Sequence, residues 1–320
     1  MVTHWLAELD GRRIAVEVPA SSANLGAGYD CLGLALGLVN RMEVEVRGWS
    51  RGEIEVSVEG EGAGELAEDR TNRFIQGIEA ALREIKGEIP DGVGWRVEMV
   101  NQIPLARGLG SSAAATIGGL VAGNALLGGP LDHAALLRLA TGIEGHPDNA
   151  AAALLGGFVV TAAIGDDVEA IRFDVPRDLR AVLFVPELRF STAEMRDVLP
   201  ERVPRADAVA NLGRVALGVA GLATRRFDLL GHLTVDRLHE PYRAKAFPQL
   251  PHLVEAARRG GAIGACLSGA GSSILAFVDT VSAVTRVEAA FRAAAAESDL
   301  EGTVIVVNPR NAGAKVIKGG

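Results

Sequence analysis

Two rhythms of hydrophobic and polar positions alternate along this chain, and the switches between them mark out its elements. A period of two, the sign of a half-buried strand, runs through residues 12–21 on Ile14, Val16 and Val18. It returns in 41–48 on Met42, Val44 and Val46, in 53–62 before a glycine-rich turn, and in 94–101. Between these strands the spacing widens to that of a helix. Phe74, Ile75, Ile78, Ala81 and Leu82 lie on one face of 72–86, and 131–145 is a second helix with Leu131–Asp132 as its cap region. The second half reads as strands in GGFVVTAAI and LRAVLFVPE, then a short helix in STAEMRDVLPE and a longer one in ADAVANLGRVALGVAGLAT. AIGACLSGAGSSILAFV reads as a strand, a glycine turn, and then a strand or a helix. A helix over 280–298 and a final strand in GTVIVVNP close the chain. Strands and helices mix without regular βα alternation, so the pattern predicts an α+β protein.

Composition narrows the picture. The 320 residues are 48% hydrophobic but only 4% aromatic, with 39 glycines, so the interior must be built from Ala, Val, Leu and Ile. That length and apolarity exclude a disordered chain and suggest two domains, divided here as 1–160 and 161–320. From Gly108 to Leu131 no residue is charged, a length that could span a bilayer. Ser111, Ser112, Asn124, Pro130 and five glycines from Gly118 to Gly129 lie within it, and such a weakly hydrophobic, small-residue stretch suits a helix buried against a sheet.

Charge changes the reading of partners. The net charge is −8, made of −9 in residues 1–160 and +1 in 161–320. An acidic chain of this kind has no general affinity for nucleic acid or an anionic membrane, so an anionic ligand must be met by a local device. Two cysteines cannot build a disulfide framework, and no Cys/His cluster has zinc spacing. The opening MVTHWLAELDGRR lacks the apolar core of a signal peptide, which gives the expectation of a cytoplasmic protein.

The local device is the run Pro104-Leu-Ala-Arg-Gly-Leu-Gly-Ser-Ser-Ala-Ala-Ala115. It follows a strand and opens a helix, so successive backbone N–H groups and the positive end of the helix dipole face one turn, an arrangement suited to a phosphate chain. The turn could instead be a plain strand-to-helix connection capped by Ser111, but the paired serines and its length favour anion binding. The P-loop pattern is absent, since no Gly-Lys dipeptide occurs. Gly108, Gly110 and Ala113 fit a loose dinucleotide pattern, yet the acid about 20 residues on, Asp132, opens another helix rather than ending a strand.

The same run resembles the phosphate-binding motif of the GHMP kinases, small-molecule kinases acting on galactose, homoserine, mevalonate and phosphomevalonate. Two further motifs resemble that family in the same order: PASSANLGAGYDCLGLAL (19–36) and ACLSGAGSSILAF (265–277). SANLGAGYD, EGHPDN, STAEMRDVLP and HEPYR resemble its homoserine-phosphorylating members. The resemblance implies a two-domain GHMP kinase fold, a ribosomal-protein-S5-like N-terminal domain and a ferredoxin-like C-terminal domain, with nucleotide in the cleft between them. It implies ATP and Mg²⁺ as cofactors, transfer to the side-chain hydroxyl of L-homoserine in threonine biosynthesis, and leaves a homodimer open. Other acceptors of mevalonate or shikimate type, and a non-catalytic nucleotide-binding relative, stand as alternatives.

Site residues carry over position by position. The nucleotide is assigned to Pro104, Leu105, Ala106, Arg107, Gly108, Leu109, Gly110, Ser111, Ser112, Ala113 and Ala114, with Asn72 at the adenine. Ser112 and Glu144 are the expected Mg²⁺ ligands, with Ser111 as a substitute for Ser112. Asn24, Asp30, His146, Thr192, Arg196 and Arg243 are assigned to the acceptor, and Asp30, Glu144 and Asn149 to catalysis. The two arginines suit an α-carboxylate because guanidinium offers a planar two-pronged donor. No lysine occurs between Lys86 and Lys245, which argues against a lysine-assisted base and for direct in-line transfer, with Asp148 given a structural role. Gly269, Gly271 and Ser272 are expected to brace the phosphate loop.

Overall fold

The computed structural model describes residues 5, 8–47, 52–89, 92–165 and 167–319; the expected strand end at Gly48 and Trp49 lie outside them. In order the strands are β1 (Arg13–Ala23), β2 (Leu32–Arg47), β3 (Ile54–Gly60), β4 (Gly94–Asn101), β5 (Phe158–Ile164), β6 (Asp167–Phe173), β7 (Arg180–Pro186), β8 (Gly264–Leu267), β9 (Ile274–Val278), β10 (Gly302–Val307) and β11 (Lys315–Gly319). The helices are α1 (Arg73–Lys86), α2 (Ser111–Leu126), α3 (His133–Glu144), α4 (Asp148–Leu155), α5 (Thr192–Asp197), α6 (Arg205–Ala223), α7 (Leu230–Leu233), α8 (Glu240–Arg243), α9 (Leu250–Arg259) and α10 (Val281–Glu297).

Among the described residues the strands form two sheets. The larger runs β11-β1-β2-β4-β3, with β5 and β6 added along the first part of β2; the smaller runs β10-β7-β9-β8. All pairs are antiparallel except β3 with β4. Strand β7 shows how one alternation serves two cores. Ala181, Leu183 and Val185 face the large core under the first sheet, whereas Val182 and Phe184 join Phe247, Leu253 and Phe291 beneath α9 and α10.

The uncharged stretch is the buried helix α2, as its small residues predict. It packs against β1 and against α1, whose apolar stripe is the one read from the sequence. Its glycines allow that closeness: a Cβ on Gly119 would collide with the Phe74 carbonyl oxygen. A further helix, α6, is long and apolar enough by composition to cross a membrane, but Arg205, Asp207 and Arg214 interrupt it and Gly218 packs on Leu233.

Three strand assignments differ from the pattern. Strand β2 starts at Leu32, within the first glycine-rich motif, because its early residues Leu32–Leu34 pair with β5 while its later ones pair with β4. Strand β6 has both faces partly exposed, so its alternation is blurred, and β11 is exposed throughout; both are edge strands with little apolar signal. Thus GTVIVVNP supplies β10 but not the last strand. The strand pairing also crosses residue 160: the first sheet takes in β6 through Phe173 and recovers β11 from the far end of the chain. A hairpin needs only its neighbour, so β5 and β6 stay together across any divide drawn from composition.

Candidate active site

A cavity of about 520 Å³ lies where the 104–112 loop meets the Asn24–Asp30 turn, the start of α4, α5, α8 and the Gly269–Gly271 turn. The loop is built by backbone. Gly110 is the left-handed N-cap of α2 at φ 71°, and Ala106 and Gly108 also have positive φ, so the chain turns sharply along the cavity before entering the helix. A Cβ on Gly108 would collide with the Ser268 carbonyl oxygen. Ser268 in turn donates to the Gly108 carbonyl at 2.6 Å and lies 2.8 Å from Ser22, and the Ser273 N–H donates to the Arg107 carbonyl at 3.1 Å. Gly269 N–H donates to the Ala23 carbonyl at 3.0 Å, and the Ser272 hydroxyl donates to the Leu188 carbonyl. The third glycine motif therefore clamps the loop from behind.

At the loop's helical end, Ser112 Oγ donates to Glu144 Oε1 at 2.9 Å and Thr116 Oγ1 donates to the same oxygen at 2.6 Å. Glu144 ends α3 and Gly145 turns the chain away in the left-handed conformation, which leaves the carboxylate at the cavity edge. Hard oxygen donors around one carboxylate suit a magnesium ion, which takes few protein ligands and completes its shell from phosphates and water. No group of three or more His, Cys, Asp or Glu side chains with metal-binding geometry occurs among the described residues, so a cage made of protein alone does not occur there. Ser111 also lines the cavity.

At the opposite end the side chains carry full charges. Asp30, at φ 54°, accepts both guanidinium nitrogens of Arg196, at 2.7 and 3.0 Å. Arg196 also donates to the Tyr29 hydroxyl at 2.8 Å. Arg243, only 1% exposed, donates from Nε to the Met195 carbonyl at 3.1 Å and from Nη1 to the Gly269 carbonyl at 3.0 Å. Burial pushes its pKa down, the direction expected for a cation taken out of water. Both guanidinium groups stand over the Tyr29 ring, at 5.5 and 5.6 Å. His146 Nδ1 lies 3.1 Å from Asp148 Oδ1, and that hydrogen bond raises the His146 pKa above its ordinary 6.5. Asp148 is 2% exposed and accepts the Asn149 N–H at 2.7 Å, while Asn149 Oδ1 accepts from Ser21 at 2.9 Å.

The cavity brings together most of the positions assigned from sequence, from Asn24 and Asp30 through Ser112 and Glu144 to Thr192, Arg196 and Arg243. Two have commitments the sequence did not show. Asn24 is buried, holding the Asp30 N–H through Oδ1 and the Gly269 carbonyl through Nδ2, each at 3.0 Å. Asn72 lies outside the main cavity, on an adjoining one of about 360 Å³ that shares Arg73, Ala106, Ser112 and Thr192 with it. It caps α1 by accepting the Phe74 N–H at 3.0 Å and donates to the Ala67 carbonyl at 2.8 Å. Leu105 lines this second cavity too. Sequence reasoning missed Ser21, Tyr29, Thr116 and His239. Ser21 and Tyr29 stand inside a quoted motif, but their roles depend on partners more than a hundred residues away.

Comparison with known proteins places this geometry. Residues 72–157 match the GHMP kinase N-terminal domain and 219–297 the GHMP kinase C-terminal domain. The chain is 42% identical over 302 residues to the homoserine kinase of Moorella thermoacetica, spanning 94% of this chain and 99% of that protein. It is 39% identical to the homoserine kinase of Carboxydothermus hydrogenoformans over 94% of this chain and 96% of that one. Among solved structures, homoserine kinase from Cytophaga hutchinsonii aligns with a TM-score of 0.84 at 29% identity, covering 95% of this chain and 97% of that chain. A mevalonate kinase at 16% identity and a TM-score of 0.63 shares the fold. The chain therefore belongs to the GHMP kinase family.

Proposed function

We propose that this protein transfers the γ-phosphate of ATP to the side-chain hydroxyl of L-homoserine, giving O-phospho-L-homoserine for threonine biosynthesis in the cytoplasm. The observation that carries this reading is the pairing, in one cavity, of a backbone phosphate loop with the Asp30–Arg196–Arg243 cluster. Homoserine is a zwitterion, and the cluster offers one carboxylate for its ammonium and guanidinium groups for its α-carboxylate. A sugar carries neither charge, and mevalonate has a carboxylate but no ammonium for Asp30 to meet. Similarity to homoserine kinases over most of the chain supports the same acceptor.

The roles follow from position. Loop N–H groups of 108–112 and the α2 N-terminus bind the phosphates, with the adjoining cavity at Asn72 and Thr192 receiving the adenosine end. Asn72 holds that wall through its cap bonds rather than by a free amide. Ser112 and Glu144 would hold Mg²⁺, which neutralises the β- and γ-phosphate charge when bound. Arg243, Arg196 and Thr192 orient the acceptor, His146 stands beside it with its pKa raised by Asp148, and Asn149, fixed by Ser21, faces the reacting end. Asp30 is bonded through both oxygens to Arg196, and Asp148 is bonded to His146 and Asn149, so neither is a free base. The chemistry this supports is direct in-line transfer, with catalysis by positioning and charge.

The test is ADP release with homoserine, mevalonate, shikimate and galactose as acceptors at saturating MgATP. Homoserine should give the highest kcat/KM by at least about a hundredfold, the discrimination typical of a site whose buried charges need their partners. An equal or higher value for another acceptor overturns the assignment.

A further inference from the structure

Arg243 is unusual for a buried cation: among the described residues no carboxylate lies within ion-pair distance of its guanidinium. An isolated buried charge is costly, and most proteins neutralise it with an acid. Here all three bonds go to neutral acceptors: the Met195 carbonyl, the Gly269 carbonyl and Nδ1 of His239, the last at 3.0 Å. They use Nε and Nη1; among the described residues Nη2 takes no protein acceptor and is left for the cavity that Arg243 lines.

His239 is itself fully buried. Its Nε2 lies 2.8 Å from the Gly26 carbonyl. A carbonyl only accepts and a guanidinium only donates, so both contacts demand one form of the ring, neutral with hydrogen on Nε2. Burial holds its pKa down at about 4, which keeps it in that form. The backbone around it is pinned by Asp236, whose oxygens accept the N–H groups of Leu238, His239 and Glu240.

We propose that His239 is a positioning residue that aims Arg243 at the acceptor's carboxylate through Nδ1, fixing the guanidinium without neutralising it. A carboxylate at the same place would orient Arg243 equally well but would cancel the charge that the acceptor needs. The imidazole supplies direction alone. Through Nε2 it also ties the Gly26 turn, which carries Asp30, to the helix carrying Arg243, so the two charged walls of the acceptor end keep their spacing. This inference rests on the acceptor reading given above.

Two substitutions separate the contacts. His239→Asn puts an amide oxygen where Nδ1 was and keeps an acceptor for Arg243; His239→Gln puts an amide nitrogen near Nε2 and keeps the donor to Gly26. With homoserine varied at saturating MgATP, Asn should hold the homoserine KM within about threefold of the wild type. Gln should raise it about tenfold, the scale of one lost hydrogen bond to a charged group. The ATP KM should stay put in both, and melting temperatures show whether each variant is folded. The reverse order of the two variants, or a wild-type homoserine KM in the Gln variant, overturns the inference. Histidine ¹⁵N chemical shifts in the wild type at pH 7.5 decide independently of any variant: the neutral Nε2–H tautomer is expected, and an imidazolium or the Nδ1–H tautomer overturns it. Wild-type turnover of homoserine is measured first, so failure of the acceptor assignment is distinguished from failure of the His239–Arg243 contact, which the ¹⁵N measurement tests for any acceptor.

Discussion

The two ends of the cavity are built on opposite plans. The donor end is one continuous stretch, 104–112, whose groups toward the ligand are largely main-chain N–H, with Glu144 as the carboxylate at its edge. The acceptor end is assembled from four separated segments holding Asp30, His146, Arg196 and Arg243, and it is lined by side chains, charged ones among them. A backbone cradle clamped by Ser268 can hold a phosphate chain whatever the neighbouring side chains. An acceptor differs from enzyme to enzyme, and exchangeable side chains are where such specificity can change. Damage at the donor end should therefore lower turnover for any acceptor, and damage at the acceptor end should raise the KM for homoserine alone.

The largest effect is expected from Glu144→Gln. The amide retains an oxygen for Ser112 and Thr116, so the fold should survive with an unchanged melting temperature. The negative charge offered to Mg²⁺ is lost, and kcat should drop about a hundredfold or more while the homoserine KM stays near the wild-type value. Unchanged kcat at saturating Mg²⁺ and ATP would show that the donor end works by backbone alone.

Arg243→Lys comes next and should act on the other side of the comparison. It keeps the positive charge but removes the planar fork, so the homoserine KM should rise about tenfold or more while the ATP KM hardly moves. Homoserinol, which lacks the carboxylate, should lose its disadvantage relative to homoserine in this variant. Equal damage to the ATP KM would mean that the two ends are coupled rather than separate.

The same contrast explains what was legible in the sequence. The phosphate loop could be read because its chemistry lies in consecutive residues, a strand, a glycine turn and a small-residue helix. Glu144 and Ser112, assigned together from the sequence, meet at one corner, but Thr116, one turn along α2, looked like any helix-interior threonine. At the acceptor end the residue types were visible and their commitments were not. Nothing near Arg196 shows that it grips Asp30, 166 positions away, or that Asn24 and Asn72 use their amides on backbone. His239 stood inside a quoted motif, yet a buried neutral histidine differs from a surface one only through partners that folding supplies. Edge strands β6 and β11 were illegible for a related reason: they bury little, so their sequence need not alternate.

The smallest effect concerns pH, and it follows from a histidine, His146, lining the acceptor end of the cavity. His146 is largely buried, and its hydrogen bond to Asp148 favours the imidazolium and raises its folded pKa above the ordinary 6.5. A group whose pKa rises on folding contributes stability that is fully present below the unfolded value and is lost as pH climbs through the folded one. The wild type should therefore exceed His146→Gln in melting temperature by more at pH 6 than at pH 9, by about 2 °C for a chain of this size. Ser112→Ala, which alters the donor end and leaves His146 in place, should show the same gap from wild type at both pH values. The mechanism also fixes what happens to binding: the imidazolium adds positive charge beside an anionic acceptor group, so the homoserine KM should rise with pH over the interval in which the melting-temperature gap shrinks. A gap that is flat or widens toward pH 9 would mean that His146 is neutral in the folded enzyme. The acceptor end would then owe its positive charge to the two arginines alone.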